Sequence, residues 1–478
     1  MADLNSKLNA ISQNVTNVAA TVSSVLGVPI QTAPSTTTSQ IVKGVADFST
    51  DDFITIGKKL HQNIGSYFNY ENYILNIAEA SSLPNGAYSL LPVVFLDGDI
   101  TNLSKENKVD LSYKIVRIGG KYIEGTCQCN YQGNTTWNTP KHNYALSKMS
   151  EKVDLGWGPQ KKYVLKGEYR EASYARNVVA AKLWADVVKS RTDTSELLTK
   201  IKSTPNCCAV DGYPCMLILN GKYRGVFTLN IPKDKWMMNI GDGEKEAILQ
   251  CDGRQVNIQR WKSSLTKEIL TTEDLSMSIE YVTDEDDVDW VVDSWNNIYS
   301  IISSNQNNAN YLDLLSPYVD ITNAIDYYIY CCLTGNWDGT SHNFLFSTYD
   351  GMKWFYTAYD LNFVFGLYLA TYTMNSRTAR PTFSGFASEN NLMKLFYTHS
   401  KNLIKSRYTV LRDGPMSEAN VLTRFSDFLI KIPERCRQAE YEIYTDEPST
   451  SVEHLSQIMN WYRLRCQYLD AEVASWNV

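Results

Sequence analysis

The stretch HNFLFSTYDGMKWFYTAYDLNFVFG, residues 342–366, decides the fold. Aromatic and β-branched runs stand on either side of Asp350-Gly351, the signature of a β-hairpin with a tight turn. Asn343 lies at the foot of the first run and Asp360 at the foot of the second. Just upstream, Asp338 and Asn343 have the spacing D-x-x-x-x-N. A hairpin between Asn343 and Asp360 returns the later acid to the neighbourhood of the earlier pair.

Outward from this hairpin the chain divides into two kinds of sequence. Upstream it is β-rich. LLPVVFLDGDI (90–100), VDLSYKIVRI (109–118), KYIEGTCQCNYQG (121–133), NYALSKM (143–149) and KKYVLKGEY (161–169) read as strands. MLILNGKYRGVFTLNI (216–231) is another hairpin, with Asn220-Gly221 suited to a type I′ turn. ASYARNVVAAKLWADVVKSR (172–191) is an amphipathic helix whose apolar face is Ala175, Val178, Val179, Leu183, Val187 and Val188. The acidic run TDEDDVDW (283–290) reads as the solvated first turn of a helix, and 310–335 as helical. After residue 385 the pattern is helical to the end, broken at Pro433 and Pro448.

The D-x-x-x-x-N spacing is that of a protein-kinase catalytic loop, whose Asp takes a hydroxyl proton and whose Asn holds magnesium. Asp360 then supplies a second metal-binding group. Lys166 lies on a strand before a helix, where a lysine pairs with nucleotide phosphates. Arg176 and Asn177 follow on that helix. The plainer alternatives are turn caps for Asp338 and Asn343 and a surface side chain for Lys166. His342 reads as an orienting or capping group. No G-x-G-x-x-G loop and no Walker motif is present, which excludes an ordinary kinase or P-loop enzyme.

Five segments, in order, resemble the spore coat protein H (CotH) kinase-like family. They are YQGNTTWNTPKHNYAL (131–146), KYVLKGEYREASYARNVVAAKLW (162–184), LNGKYRGVFTL (219–229), NWDGTSHNFLF (336–346) and KWFYTAYDLNFVFG (353–366), and the similarity spans about residues 90 to 370. The resemblance implies an atypical kinase-like fold that uses ATP and magnesium. Lys166 would then contact phosphate, Asp338 would be the catalytic-loop acid, and Asn343 and Asp360 would hold metal. Arg176 falls in the family's R-N segment and is assigned with Lys166 to the cofactor. Three positions depart from the family: Asn362 and Asn230 stand where acids are usual, and Lys141-His142 replaces a lysine pair. Fewer carboxylates weaken metal binding. The wording of GWGPQKKYVLKGEY and YDGMKWFYTAYD is similar to the version found in bacteriophage tail and baseplate proteins.

At the other end of the chain, Leu4, Leu8, Ile11, Val15, Val18, Val22 and Val25 form a heptad seam. β-branched residues at both core positions favour three or more strands. Gly27 and Pro29 end the helix, and QTAPSTTTSQ (31–40) is a polar linker. Residues 46–80 read as mixed and mostly helical.

The chain carries 45 Lys and Arg against 52 Asp and Glu, a formal charge of −7, which argues against a nucleic-acid binder. Ten cysteines, several adjacent or nearly so, show no zinc spacing and read as buried free thiols of a protein made in a reducing cytoplasm. Thirty-one tyrosines suit a large core better than a binding surface. No signal peptide and no membrane span is read.

Together these features point to an α+β protein with a β-rich N-terminal part and a helical C-terminal part. The expected division is a coiled-coil stalk (1–27), a linker (28–45), a kinase-like body (46–385) and a helical region (386–478). The expected role is that of a structural virion protein in a phage tail, baseplate or fibre, synthesised in the host cytoplasm. It would associate with itself as a trimer or higher through residues 1–27, with other virion proteins, and with a host-surface glycan or protein. The alternative is an active atypical kinase using ATP and magnesium. A third reading, from exposed Trp and Tyr, is a carbohydrate-binding module.

Overall fold

The computed structural model of the chain describes residues 91–478 apart from 118–120, 134–138, 170, 172, 242, 252–255, 272–276, 369–370, 373–381 and 445–453. The expected stalk, linker and mostly helical stretch 46–80 lie outside the described residues.

The N-terminal part runs β1 (Val93–Asp97), β2 (Val109–Val116), β3 (Tyr122–Gln132), β4 (Asn143–Ser147), the short pair β5 (Val153–Asp154) and β6 (Pro159–Gln160), β7 (Tyr163–Lys166), β8 (Gly212–Leu219) and β9 (Lys222–Asn230). Seven of these close into a barrel in the order β1-β2-β3-β4-β7-β9-β8. Closure comes from a parallel pairing of β1 with β8, while the other contacts are antiparallel. On β2 the alternation is clean: Leu111, Tyr113 and Ile115 are buried, and Asp110 and Ser112 are exposed. On β8 and β9 it is lost, because both faces are covered. Asn220 (φ 50°) and Gly221 (φ 69°) form the tight turn that the Asn-Gly pair predicts. The Asn220 carboxamide also bonds both backbone groups of Gly98 at 2.9 Å, tying this turn to the one after β1.

Between β7 and β8 lie α1 (Arg176–Lys189) and α2 (Glu196–Lys202). The strand expected over 161–169 stops at Lys166, because Glu168 takes a left-handed φ of 50°. A second sheet follows from β10 (Ala247–Cys251), β11 (Met277–Val282), β12 (Phe344–Thr348) and β13 (Trp354–Ala358), in the order β11-β10-β12-β13. The β12–β13 hairpin turns at Asp350-Gly351 as expected, with the Asp350 carboxylate accepting from Met352 and Lys353 N–H at 2.8 Å.

Helices α3 (Val256–Gln259), α4 (Lys267–Thr271), α5 (Asp289–Ser304), α6 (Tyr311–Leu315) and α7 (Ile321–Thr334) interrupt this sheet in sequence. The acidic run precedes α5, and of its residues Asp289 enters the first turn. The expected helix 310–335 is two helices, parted around Pro317, with Asp320 capping α7 by accepting from Asn323 N–H at 3.1 Å. Asn323 in turn bonds both backbone groups of Tyr356, which fixes α7 on β13.

The chain ends in α8 (Phe383–Glu389), α9 (Asn391–His399), α10 (Lys401–Asp413), α11 (Glu418–Leu429), α12 (Glu434–Ile443) and α13 (His454–Ala474). These helices share one core with the strands. Two bidentate pairs bind them to earlier helices: Arg407 to Asp326 on α7, and Arg424 to Asp186 on α1. Helix α12 lies on β9, and there Lys141 and Glu440 form an ion pair with both side chains fully buried. Lys141 Nζ also donates to Val226 C=O at 2.8 Å, and Glu440 accepts from Val226 N–H at 2.5 Å. Gly225 (φ 103°) makes room: a Cβ there would lie 2.4 Å from the Glu440 carboxylate.

All ten cysteines are free and buried, as the sequence suggested. Much of the tyrosine excess goes inside too, with Tyr327, Tyr328 and Tyr330 on α7 buried. No helix among the described residues is long and apolar enough to cross a membrane.

Candidate functional site

An ion pair joins the end of barrel strand β7 to the segment just after the second sheet. Lys166 ends β7, and its Nζ lies 3.3 Å from Asp360 Oδ1. The lysine side chain is 14% exposed and the carboxylate 42%. Burial pulls the lysine pKa down, but the Asp360 carboxylate, helped by Tyr359 and Glu168, outweighs it and holds the pKa above its ordinary value. Lys166 is thus a fixed cation beside a carboxylate that remains open to solvent.

The β12–β13 hairpin does what its sequence promised. Phe344 pairs with Ala358, so the residues flanking that pair are neighbours. Tyr359 N–H donates to Asn343 C=O at 3.2 Å, which sets Asn343 beside the segment that carries Asp360. Both residues have left-handed backbones, φ 56° for Asn343 and 50° for Asp360. Two strained non-glycine residues at the foot of one hairpin are the kind of outlier that clusters at functional sites.

Asp338 opens a 3₁₀ turn (Asp338–Thr340) and is half-exposed. Its carbonyl caps the turn, accepting from Ser341 N–H at 2.9 Å and His342 N–H at 2.5 Å. Tyr327 O–H donates to Gly339 C=O at 2.9 Å, and Asn390 Nδ2 to Thr340 C=O at 2.9 Å. The D-x-x-x-x-N segment is therefore pinned from α7 and from the residue before α9. His342 Nδ1 contacts Ser341 Oγ at 2.5 Å.

Arg176 requires a correction. Its side chain is fully buried, paired with Glu171 and bonded to Gln457, with Nε donating to Val364 C=O at 3.0 Å. A guanidinium held this way ties α1 to the segment after Asp360 and to α13. It is not placed to receive a phosphate from solution.

One residue escaped sequence reasoning. Glu168, 7% exposed, accepts from Asn177 Nδ2 at 3.0 Å, and Asn177 Oδ1 accepts from Leu361 N–H at 3.0 Å. This chain joins the end of β7, helix α1 and the residue after Asp360. Burial pushes the Glu168 carboxyl up to about 7; Lys166 and Asn177 pull it down, and Glu171 and Asp360 add to the rise. The available signal was an acid two residues past the strand lysine, in KGE. Asn230, the amide on β9 at a position where an acid was expected, pairs with Val164 of β7, two residues along from the pairing of Thr228 with Lys166. It is 1% exposed, and its side-chain amide makes no hydrogen bond among the described residues.

These residues fit magnesium and a phosphate in part. Magnesium takes one or two protein oxygens and completes its shell with water and phosphate. Asp360 and Asn343 carry oxygens of that kind, and an ammonium group such as that of Lys166 suits a phosphate. Among the described residues no cluster of three or more His, Cys, Asp or Glu forms a self-sufficient metal cage.

Residues 129–469 match the family described as CotH kinase protein. The match starts in β3 and runs into α13, past the segments that carried the resemblance. No curated protein matches the chain.

Proposed function

The chain belongs to the CotH kinase protein family, and from that premise we propose that it is an atypical phosphotransferase using ATP and magnesium. The ion pair between Lys166 and Asp360, 3.3 Å long and open to solvent on the carboxylate side, carries this reading. Lys166 would hold the phosphates, and Asp360 with Asn343 would hold the metal. Bound magnesium would neutralise charge that develops on the transferred phosphoryl group. Asp338 would accept the hydroxyl proton of the acceptor, from a loop pinned at Gly339 and Thr340. Glu168 and Asn177 would position the segment after Asp360 relative to Lys166. With Asn362 and Asn230 in place of acids, the metal is held by fewer carboxylates, so half-maximal activity should need more magnesium than a site with a full acidic set.

The test is incubation of the full chain with γ-labelled ATP, magnesium and candidate acceptor proteins. Labelling that disappears in Asp338→Ala supports the reading. Equal label in wild type and Asp338→Ala sinks it.

A second reading rests on the heptad seam from Leu4 to Val25. In it the chain is a virion component of a phage tail, baseplate or fibre, trimeric or higher through residues 1–27. The kinase-like body would then act as a scaffold or receptor-facing module toward other virion proteins or a host surface. Light scattering on the full chain and on a chain lacking residues 1–27 measures the self-association. A monomer in both cases removes the stalk, and absence of the chain from purified particles removes the role.

A further inference from the structure

A second built feature lies at the β5–β6 turn, where the sequence reads Leu155-Gly156-Trp157-Gly158. Both glycines flanking the tryptophan have positive φ, 113° and 104°. Asp154 Oδ1 accepts from the N–H of Gly156 at 2.8 Å and of Gly158 at 3.1 Å, so the turn is fixed from within. The backbone at these two positions favours glycine, and between them it presents one large, half-buried indole.

Trp157 is held in place on more than one side. Its ring stacks on Tyr213 with centroids 5.3 Å apart and planes 11° from parallel. Its Nε1 donates to Asp211 Oδ2 at 2.8 Å, and Lys182 pairs with the other Asp211 oxygen. Trp236 lies next to the turn: a Cβ on Gly158 would come within 3.7 Å of its ring. Two cavities, of about 320 and 500 Å³, have Trp157 as their shared wall. None of the residues lining them belongs to the Lys166–Asp360 site.

We propose that this double cavity around Trp157 is a binding site for a neutral oligosaccharide. Three half-buried aromatic side chains, Tyr213, Trp157 and Trp236, line the two cavities, and the ring surface that the Trp157–Tyr213 stack leaves uncovered suits the C–H faces of sugar rings. Around them the polar groups carry both signs. Asp211 and Asp427 stand near Lys182, Arg424 and Lys431 in the smaller cavity. A ligand of one charge would be repelled by part of this wall. Lys182 already pairs with Asp211 and Arg424 with Asp186, and sugar hydroxyls, which both donate and accept, can bond beside such pairs without adding a charge. The indole is fixed before any ligand arrives, which lowers the entropy lost on binding.

The full chain is titrated with cellohexaose, maltohexaose, chitohexaose and xylohexaose while tryptophan fluorescence is followed. At least one should give saturable binding. Trp157→Ala should weaken it at least about tenfold, and Trp157→Phe should lose less. Melting curves of each variant separate lost binding from lost folding, and Asp211→Asn, which keeps the side-chain shape, serves as the second probe. Failure of all four sugars to bind overturns the proposal. So does unchanged affinity in a folded Trp157→Ala chain, or competition for the groove by a charged peptide in place of sugar. Lys166→Ala should bind the sugar like wild type, so a failed kinase assay and a failed sugar titration are independent results.

Discussion

Two lysine–carboxylate pairs join the barrel to later parts of the chain, and they differ in one respect that decides their roles. Lys141 and Glu440, where α12 lies on β9, are both fully buried. Lys166 and Asp360, where β7 meets the second sheet, are 14% and 42% exposed. The sealed pair has every neighbour it needs: Val226 bonds both partners through its backbone. The open pair leaves carboxylate surface for something else to bind. Similar chemistry thus serves as a lock at one seam and as a site at the other, and water access is what separates them.

The comparison can be broken most sharply at the lock. Glu440→Ala should cost about 3–5 kcal/mol in denaturant unfolding, because it leaves Lys141 charged and buried without its partner. A loss under about 1 kcal/mol would mean that the pair is no lock. At the open pair the effect should move from stability to chemistry. Lys166→Ala should lower ATP-dependent labelling at least about a hundredfold, near 3 kcal/mol of transition-state free energy, with unfolding changed by about 1 kcal/mol or less. If Lys166→Ala destabilises the chain as much as Glu440→Ala, the distinction fails.

Glu168 sharpens the comparison through pH. Its carboxyl sits at about 7 in the folded chain, against roughly 4.3 when unfolded. Between those values the unfolded chain has released the proton and the folded chain keeps it. Stability from this group therefore falls as pH rises from about 4 to about 7, then levels off. Melting of wild type against Glu168→Gln should show that difference, about 3–4 kcal/mol across the window. Parallel curves would mean that burial does not hold the proton on Glu168. The smallest effect is expected at neither seam: Gly221→Ala at the β8–β9 turn (φ 69°) should cost about 1 kcal/mol and leave labelling unchanged.

What could be read from sequence was local. The Asn220-Gly221 and Asp350-Gly351 turns, the strand that carries Lys166 and the return of Asp360 toward Asn343 all depend on neighbours a few residues away. What could not be read depends on distance along the chain. Barrel closure pairs Val93 with Met216, and Lys141 meets Glu440 some three hundred residues later. An arginine on an amphipathic helix gives no hint that Glu171 and Gln457 will bury it, so only the resemblance assigns Arg176 to the cofactor. The burial of Glu168 is not legible locally, because its partner Asn177 joins it only when α1 folds back onto the end of β7. The Asn362 and Asn230 departures were visible at once, whereas the burial of Asn230 was not.

The ten cysteines carry a practical consequence. Burial raises thiol pKa values along the chain, to about 12 for Cys127, Cys208 and Cys436, so the native protein offers oxidants and alkylating reagents almost no thiolate. Passage from a reducing compartment to air should leave it without crosslinks. Unfolding reverses this, because ten ordinary thiols are then unmasked. A maleimide dye added during a denaturation series would report the opening of the barrel and of the helical core separately, by which peptides take the label first.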